Sequence, residues 1–97
     1  MDLGLRPAAP PEVLYHGTAT RFLESILATG LDKRQRHHVH TTTDPSTARL
    51  VGQRYGVVVV LTVDAARMHA EGHTFFRSEN GVWLTDVVPA RYLSAGI

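Results

Sequence analysis

The chain has 97 residues and a formal net charge of +1, with ten lysines and arginines against nine aspartates and glutamates. This length suits one domain with a single hydrophobic core. This near-neutral net charge argues against a strongly basic surface that binds nucleic acid and against a mimic of a polyanion. The absence of cysteine excludes a disulfide framework, a thiolate zinc site and a cysteine nucleophile.

The N-terminal part of the sequence predicts an extended lead-in, a strand and a helix. Residues 1–12 contain three prolines, which favour an extended lead-in, and the folded domain is predicted to span residues 13–97. Val13–His16 is predicted to be a short strand. The apolar positions of Thr20–Thr29 recur at helical spacing, and Gly30 follows as the C-terminal stop.

Arg36–His40, with the sequence RHHVH, is the most unusual segment of the chain. We expect it to be a strand, in which His38 and His40 share one face and His37 faces the other side. This concentration of imidazole and guanidinium groups indicates a ligand site. A metal site is the alternative, since neutral imidazole is a common metal ligand. Only two of the histidines share a face and no carboxylate lies nearby in sequence, so we predict no metal.

The middle of the chain predicts a second helix and the principal strand. Asp44 is placed to cap the helix, with Pro45 at its first position, and Gly52 and Gly56 bracket its end. The apolar, β-branched run Val57–Val63 follows and predicts a strand in the centre of its sheet.

The last third of the chain predicts further short elements. A short helix is expected from Asp64 to Met68. A hairpin is expected next, with strands Thr74–Arg77 and Val82–Thr85 around an Asn-Gly turn, and then an edge strand within Val87–Leu93. The whole pattern predicts an α+β domain with short strands and two or three helices.

Four blocks of residues occur in a characteristic order: Leu14–Thr18 (LYHGT), Arg36–His40 (RHHVH), Val51–Gly56 (VGQRYG) and Ser78–Thr85 (SENGVWLT). Together they resemble the C-terminal lobe of the KptA-type NAD-dependent RNA 2'-phosphotransferases. The resemblance runs from about Val13 to Leu93. It implies an ADP-ribosyltransferase-like fold, in which a split, mixed β-sheet core holds NAD in a cleft.

The resemblance also implies a reaction in which NAD is a substrate. Members of the family transfer ADP-ribose from NAD to an internal 2'-phosphate of spliced RNA and release nicotinamide. They then form ADP-ribose 1'',2''-cyclic phosphate. The implied acceptor is a phosphate on RNA or on another nucleic acid. Breaking the nicotinamide bond builds oxocarbenium character on the ribose, so orientation matters more than a strong base.

Site residues follow from the same resemblance. His16 and His40 take the first two positions of the transferase signature, and Val82 takes the third, where protein-modifying relatives carry an acid. Arg54 matches the catalytic arginine of this lobe. The implied catalytic residues are therefore Arg54, His16 and His40. The implied NAD-binding residues are His16, Gly17, Thr18, Arg36, His38, His40, Asn80 and Val82.

Some of these residues also have a purely structural interpretation. Trp83 is expected in the core, Asn80-Gly81 is first of all a turn, and Arg49 and Arg67 are expected to be solvated charges on helices. Arg54 lies between two glycines, where a ligand can approach closely, so we favour a functional role for it.

Residues 1–12 do not resemble the N-terminal RNA-binding lobe of the family, so a separate RNA-binding lobe or partner is expected. Two other classes of function stay open. One is an NAD hydrolase or a toxin-like ADP-ribosyltransferase, and the other is a module that binds NAD or ADP-ribose without catalysis. Val82 in place of an acid argues against modification of protein side chains, because a neutral acceptor needs a base. We expect a cytoplasmic protein, since no apolar run approaches the ~20 residues of a membrane helix.

Overall fold

The computed structural model describes residues 6–32, 38–79 and 81–95. The strands are β1 (Arg6–Pro7), β2 (Leu14–Ala19), β3 (Leu31–Asp32), β4 (Val39–Thr41), β5 (Val58–Val63), β6 (Phe75–Arg77), β7 (Trp83–Thr85), β8 (Val87–Val88) and β9 (Leu93–Ala95). The helices are α1 (Leu23–Thr29), α2 (Pro45–Gly52) and α3 (Ala65–Ala70), and short 3-10 turns cover Thr20–Phe22, Gln53–Tyr55 and Ala90–Tyr92. The predicted α+β class with two or three short helices is confirmed.

The strands form two main sheets. One has the strand order β1-β6-β7-β4 and the other has the order β2-β5-β9, while β3 and β8 form a separate short ribbon. The split core is therefore as expected, and β5 is central in its sheet. Every strand pair of the described residues is antiparallel, whereas the resemblance implied a mixture of strand directions.

Among the described residues, one isolated backbone bridge joins the two main sheets. The N–H of Tyr15 in β2 donates to the carbonyl of Thr42 at 2.8 Å, and the N–H of Thr42 donates back to the carbonyl of Tyr15 at 2.9 Å. This pair of residues stands outside the ladders of both sheets. In the described part of the chain, β2 and β4 therefore meet at one point and then separate.

The hydrophobic core lies between the two sheets and α3. Alternate residues of β4 and of the end of β5 face it, as the period of a strand requires, whereas all three residues of β7 are buried. Burying each large side chain of this kind contributes about 1.5–3 kcal/mol. The largest side chains that are fully buried are those of Phe75, Leu14, Leu61, Met68, Val63, Val88 and Thr85.

The backbones of helix α2 and β2 are in direct contact, because the two glycines at this point, Gly17 and Gly52, have no side chains to separate them. A Cβ atom built on Gly17 would lie only 1.6 Å from the carbonyl oxygen of Ala48, and one on Gly52 would lie 2.8 Å from the backbone nitrogen of Thr18. A side chain at either position would push the helix away from the strand. The turn that carries Arg54 follows this contact directly.

The predicted helix ends are confirmed at three positions. The carboxylate of Asp44 accepts a hydrogen bond from the N–H of Ser46 at 2.9 Å, with Pro45 at the start of α2. Asp64 accepts from the N–H of Arg67 at 3.4 Å. Gly30 ends α1 with a φ of 85°, a conformation that glycine adopts at little cost.

The bounds predicted for the first strand and for the edge strand within Val87–Leu93 differ from the structure. β2 continues beyond His16 to Ala19, because its second half pairs with Val58–Val60 of β5. The predicted edge strand within Val87–Leu93 is divided in two around Pro89. β8 pairs with β3, and β9 pairs with β5.

The lead-in forms an edge strand with β6. The N–H of Ala8 donates to the carbonyl of Phe75 at 2.9 Å, and the register places Pro7 opposite Phe76. Because hydrogen-bonded and non-hydrogen-bonded pairs alternate, Pro7 occupies a position where no N–H is needed. No helix of the described residues has the length and apolar character to cross a membrane.

A polar cluster connects α3 to the turn Ala90–Tyr92. The carboxylate of Glu71 accepts hydrogen bonds from the hydroxyl of Tyr92, from Arg91 at 3.4 Å and from Arg67 at 3.3 Å. The hydrogen bond from the Tyr92 hydroxyl is the main reason that the pKa of Glu71 lies below its usual value; desolvation opposes this shift, and Arg67 and Arg91 lower the pKa further.

Candidate active site

His16 and His40 meet at the place where the two sheets are joined. Their strands are connected by the bridge between Tyr15 and Thr42. The ring of His16 is partly buried, and its Nδ1 lies 2.8 Å from the carbonyl oxygen of His40. Because a carbonyl oxygen only accepts, Nδ1 of His16 carries the proton in this contact. The structure thus brings together the two histidines that the sequence singled out.

His40 faces away from the core, as the alternation of β4 requires. Its neighbours Val39 and Thr41 are buried, and the hydroxyl of Thr41 donates to the carbonyl of Trp83 at 3.0 Å. The exposed ring of His40 has its Nδ1 3.0 Å from the carbonyl oxygen of His38. Both imidazole rings are therefore oriented by a backbone carbonyl at Nδ1.

His38 lies just before β4 rather than inside it, and its ring packs against Phe76. The ring centroids are 5.5 Å apart. Phe76 pairs with Leu84, and Leu84 pairs with His40, so Phe76 and His40 share one face of their sheet. His38 is thus on the same side of the sheet as His40, although not through the strand that we predicted. His37 and Arg36 lie outside the described residues.

Packing against helix α2 determines the positions of Gly17 and Thr18. Gly17 is the point of closest approach between β2 and α2, and Thr18 is buried against Gly52 of the same helix. These contacts are a structural reason for the GT pair of the LYHGT block, and a contact of either residue with NAD stays a prediction.

Arg54 lies in the 3-10 turn after α2 and is exposed. None of the described carboxylates forms an ion pair with it. The close contact between Gly52 and Thr18 holds the start of this turn against β2, two residues along that strand from His16. The structure therefore positions the backbone of Arg54 near the strand of His16 but shows no contact between their side chains. Its catalytic role stays a prediction.

The third signature position, Val82, is partly buried beside the β6–β7 hairpin. Its N–H donates to the hydroxyl of Ser78 at 3.1 Å. Trp83 is buried, as expected of a core residue. Asn80 lies outside the described residues. In the described part of the chain, no three histidine, aspartate or glutamate side chains come together in a way that could hold a metal ion.

Sequence reasoning missed Phe76 as a neighbour of the histidines. Its alternation with Phe75 carries the signal, because Phe75 is fully buried and the next residue must face the opposite side. The pairing that brings Phe76 alongside His38 and His40 is not local in sequence, so it was not predictable from the strand itself.

Comparison with known proteins gives a family. Residues 2–87 match the profile described as RNA 2'-phosphotransferase, Tpt1 / KptA family. A relative from Burkholderia lata, named a probable RNA 2'-phosphotransferase, is 68% identical over 88 residues, which are 90% of this chain and 45% of the relative.

Two further relatives have the same name. That from Pseudomonas fluorescens is 55% identical over 98% of this chain and 52% of its own length. That from Acaryochloris marina is 55% identical over 95% of this chain and 51% of its own length. The chain thus spans about half the length of the curated relatives that it matches. On these matches, the chain belongs to the RNA 2'-phosphotransferase, Tpt1 / KptA family.

Proposed function

We propose that this chain is the NAD-using part of an RNA 2'-phosphotransferase. It would transfer ADP-ribose from NAD to a phosphate group of RNA or of another nucleic acid. The membership of the family supports an RNA substrate, since the relatives are named for a phosphotransferase that acts on RNA. The observation that carries the proposal is the contact between Nδ1 of His16 and the carbonyl of His40 at the point where the sheets part.

The arrangement suits a reaction that needs orientation. In the proposed first step, an oxygen of the acceptor phosphate forms a bond to the anomeric carbon of the NAD ribose. The bond from that carbon to nicotinamide breaks, and its electron pair leaves with neutral nicotinamide. The phosphate is already an anion, so no base has to remove a proton. This agrees with an apolar residue, Val82, at the third signature position.

The second proposed step releases the product. The 2''-hydroxyl of the transferred ADP-ribose attacks the phosphorus of the RNA 2'-phosphate to which the ADP-ribose is now attached. The bond from this phosphorus to the 2'-oxygen of the RNA breaks. The proton of the ribose hydroxyl is transferred, directly or through water, to the departing 2'-oxygen. The products are RNA with a free 2'-hydroxyl and ADP-ribose 1'',2''-cyclic phosphate.

Each proposed catalytic residue has a role that fits its position. The imidazole rings of His16 and His40 are suited to hydrogen bonds with ribose hydroxyls or with the phosphates of NAD. The exposed guanidinium of Arg54 offers a charge-assisted fork for a phosphate. These contacts would stabilise the oxocarbenium-like transition state by orientation and charge, which is where most of the rate is expected to come from.

The test is incubation of the chain with NAD and an RNA oligonucleotide that carries one internal 2'-phosphate. Mass spectrometry follows the RNA and the cyclic phosphate, and chromatography follows nicotinamide. The relative from Burkholderia lata is the positive control, and the variant Arg49→Ala is the control for loss of an exposed arginine.

We expect a product that depends on the 2'-phosphate. Three other outcomes would contradict the proposal. Nicotinamide release without an acceptor indicates NAD hydrolysis, and ADP-ribose on protein indicates a toxin-like transferase. Calorimetric binding of NAD that survives Arg54→Ala, without turnover in the parent chain, indicates a binding module.

A further inference from the structure

The ring of His38 connects Phe76 to the candidate site. The centroids of the two rings are 5.5 Å apart, with an angle of 59° between their planes. The carbonyl oxygen of His38 lies 3.0 Å from Nδ1 of His40, and the carbonyl oxygen of His40 lies 2.8 Å from Nδ1 of His16. Consecutive contacts therefore lead from Phe76 to the two histidines that are proposed to be catalytic.

The strand ladder of β4 does not fix His38. β4 is an edge strand of the four-stranded sheet, and its pairs with β7 begin at Val39 opposite Thr85. His38 lies in a bend one residue before this ladder. The contact of its ring with Phe76 therefore contributes to the position of the whole residue, including the carbonyl oxygen that meets His40.

Phe76 provides a fixed support for the ring of His38. It belongs to β6, which is paired on both sides, with β1 and with β7. Its cross-strand partners are Pro7 and Leu84, and Leu84 is buried although it faces the same side as the exposed His40. Phe76 and His40 are two strands apart, roughly 10 Å, with Leu84 between them. At this distance Phe76 acts on His40 through His38 and not by direct contact.

We propose that Phe76 is a positioning residue of the candidate site. Its ring holds the ring of His38, and the carbonyl of His38 in turn holds Nδ1 of His40 in one orientation. The contribution of this orientation to catalysis rests on the proposed function. Since a misplacement of about 1 Å can cost a reaction on the order of 100-fold in rate, a partial loss of orientation should cost about tenfold.

The first measurement needs neither a ligand nor activity. Long-range proton–nitrogen NMR spectra of the chain with isotope-labelled histidine, at a pH where the imidazole rings are neutral, report which ring nitrogen carries the proton. The signals of His40 are assigned by their loss in His40→Ala. In the parent chain we expect Nδ1 of His40 to be mainly protonated, because it donates to the carbonyl of His38. In Phe76→Ala the proton should be shared between Nδ1 and Nε2, so the two nitrogen shifts should move toward each other.

The second measurement is the rate of nicotinamide release with NAD and RNA that carries an internal 2'-phosphate. Phe76→Ala should lower kcat about tenfold, whereas the Kd of NAD, measured by calorimetry, should change by less than about twofold. Phe76→Tyr keeps the aromatic ring and should restore both kcat and the spectrum of His40. Phe76→Leu should lower kcat as well, and it replaces Phe76→Ala if the alanine variant does not fold.

Phe75→Leu is the matched control, because Phe75 is the neighbouring residue on the opposite face of β6 and is fully buried. It should lower the thermal midpoint but leave the spectrum of His40 and the kcat of the folded protein unchanged. A double-mutant cycle tests the path through His38. In a His38→Ala background, Phe76→Ala should have no further effect on kcat, because the ring that it supports is absent.

Four results would overturn the proposal. They are an unchanged spectrum of His40 in Phe76→Ala, an unchanged kcat in this variant of an active parent, a loss that appears only in the affinity for NAD, and a full additional loss of kcat in the His38→Ala background.

Failure of this proposal is distinct from failure of the proposed function. If the parent releases no nicotinamide but the spectrum of His40 depends on the ring of Phe76, the positioning stands and the transferase activity does not. If the parent is active and Phe76→Ala has the same kcat and the same spectrum of His40, the activity stands and the positioning does not.

Discussion

At the level of single residues, the candidate site consists of two imidazole rings held at Nδ1 by backbone carbonyls. His16 is held by the carbonyl of His40, and His40 by that of His38. A hydrogen bond at Nδ1 fixes the orientation of each ring. The consequence is that loss of one ring should affect catalysis much more than it affects stability.

The first prediction concerns His16. Replacing it by Ala should lower the rate of nicotinamide release by about 100-fold, the size of effect seen when one positioned hydrogen-bond donor is removed. The measurement is chromatography of nicotinamide with NAD and 2'-phosphorylated RNA.

Two comparisons make this prediction specific. His69→Ala removes an exposed histidine from α3 and should leave the rate unchanged. His16→Asn keeps an N–H donor near the carbonyl of His40, so it should preserve the thermal midpoint even though the rate falls. Equal rates for His16→Ala and the parent would contradict a catalytic role.

The outward orientation of His40 was predictable from the sequence, because Val39 and Thr41 alternate with it. The side chains that lie next to the histidines were not predictable from the sequence. Phe76 reaches His38 only because β7, its hairpin partner, pairs with β4, and that pairing joins residues far apart in the chain. The position of Arg54 relative to His16 likewise depends on the packing of α2 on β2, which the sequence suggests only by its glycines.

At the level of elements, α2 and β2 are in backbone contact at Gly17. We predict that Gly17→Ala lowers the free energy of unfolding by about 3 kcal/mol, because the new Cβ would meet the carbonyl of Ala48 at 1.6 Å. Urea denaturation measures this value.

Gly72→Ala is the matched control for this change. Gly72 has a φ of +102° but no atom within 4 Å of its built Cβ, so only the backbone conformation opposes a side chain there. Its cost should be about 1–2 kcal/mol. Equal costs at the two positions would show that α2 shifts easily away from β2.

The third prediction concerns the cluster around Glu71. Its folded-state pKa lies below the usual 4.5, so its contribution to stability is present above that pH and is lost as the pH falls through the lower folded value. Tyr92→Phe removes the largest cause of this shift. We therefore expect the variant to have a lower thermal midpoint than the parent at pH 7, with the difference shrinking below about pH 4.

Thermal unfolding monitored by circular dichroism at several pH values tests this expectation. Glu71→Gln should resemble Tyr92→Phe in its shallower loss of stability with acid, since it removes the titrating group itself. A difference between Tyr92→Phe and the parent that does not depend on pH would mean that the tyrosine acts only by packing.

The sequence was informative about elements whose signals are local. Asp44, Asp64 and Gly30 mark helix ends by their own chemistry, and they were correctly interpreted. The division of Val87–Leu93 between two sheets was not predictable. It depends on which distant strands have a free edge, and only Pro89 indicated that one strand could not continue.

At the level of the whole molecule, the described residues show one backbone bridge between the two main sheets, formed by Tyr15 and Thr42. We predict that Thr42→Pro, which removes the N–H that donates to Tyr15, lowers the free energy of unfolding by about 3 kcal/mol. It should also speed exchange of the Tyr15 amide, whose acceptor is the carbonyl of Thr42.

Hydrogen exchange followed by NMR measures the amide of Tyr15 directly. Thr42→Ala is the control at the same position, because it keeps the backbone N–H and removes only the side chain. Slow exchange of Tyr15 in the proline variant would show that the sheets are held together elsewhere.

The close packing of Gly17 against Ala48 determines which parts of the candidate site move together. Because α2 and β2 are in backbone contact, the turn of Arg54 belongs to the same rigid unit as His16. His40 belongs to the other sheet. A displacement of β2 relative to β4 would therefore change the distances from His16 and Arg54 to His40 and preserve the distance between the other two.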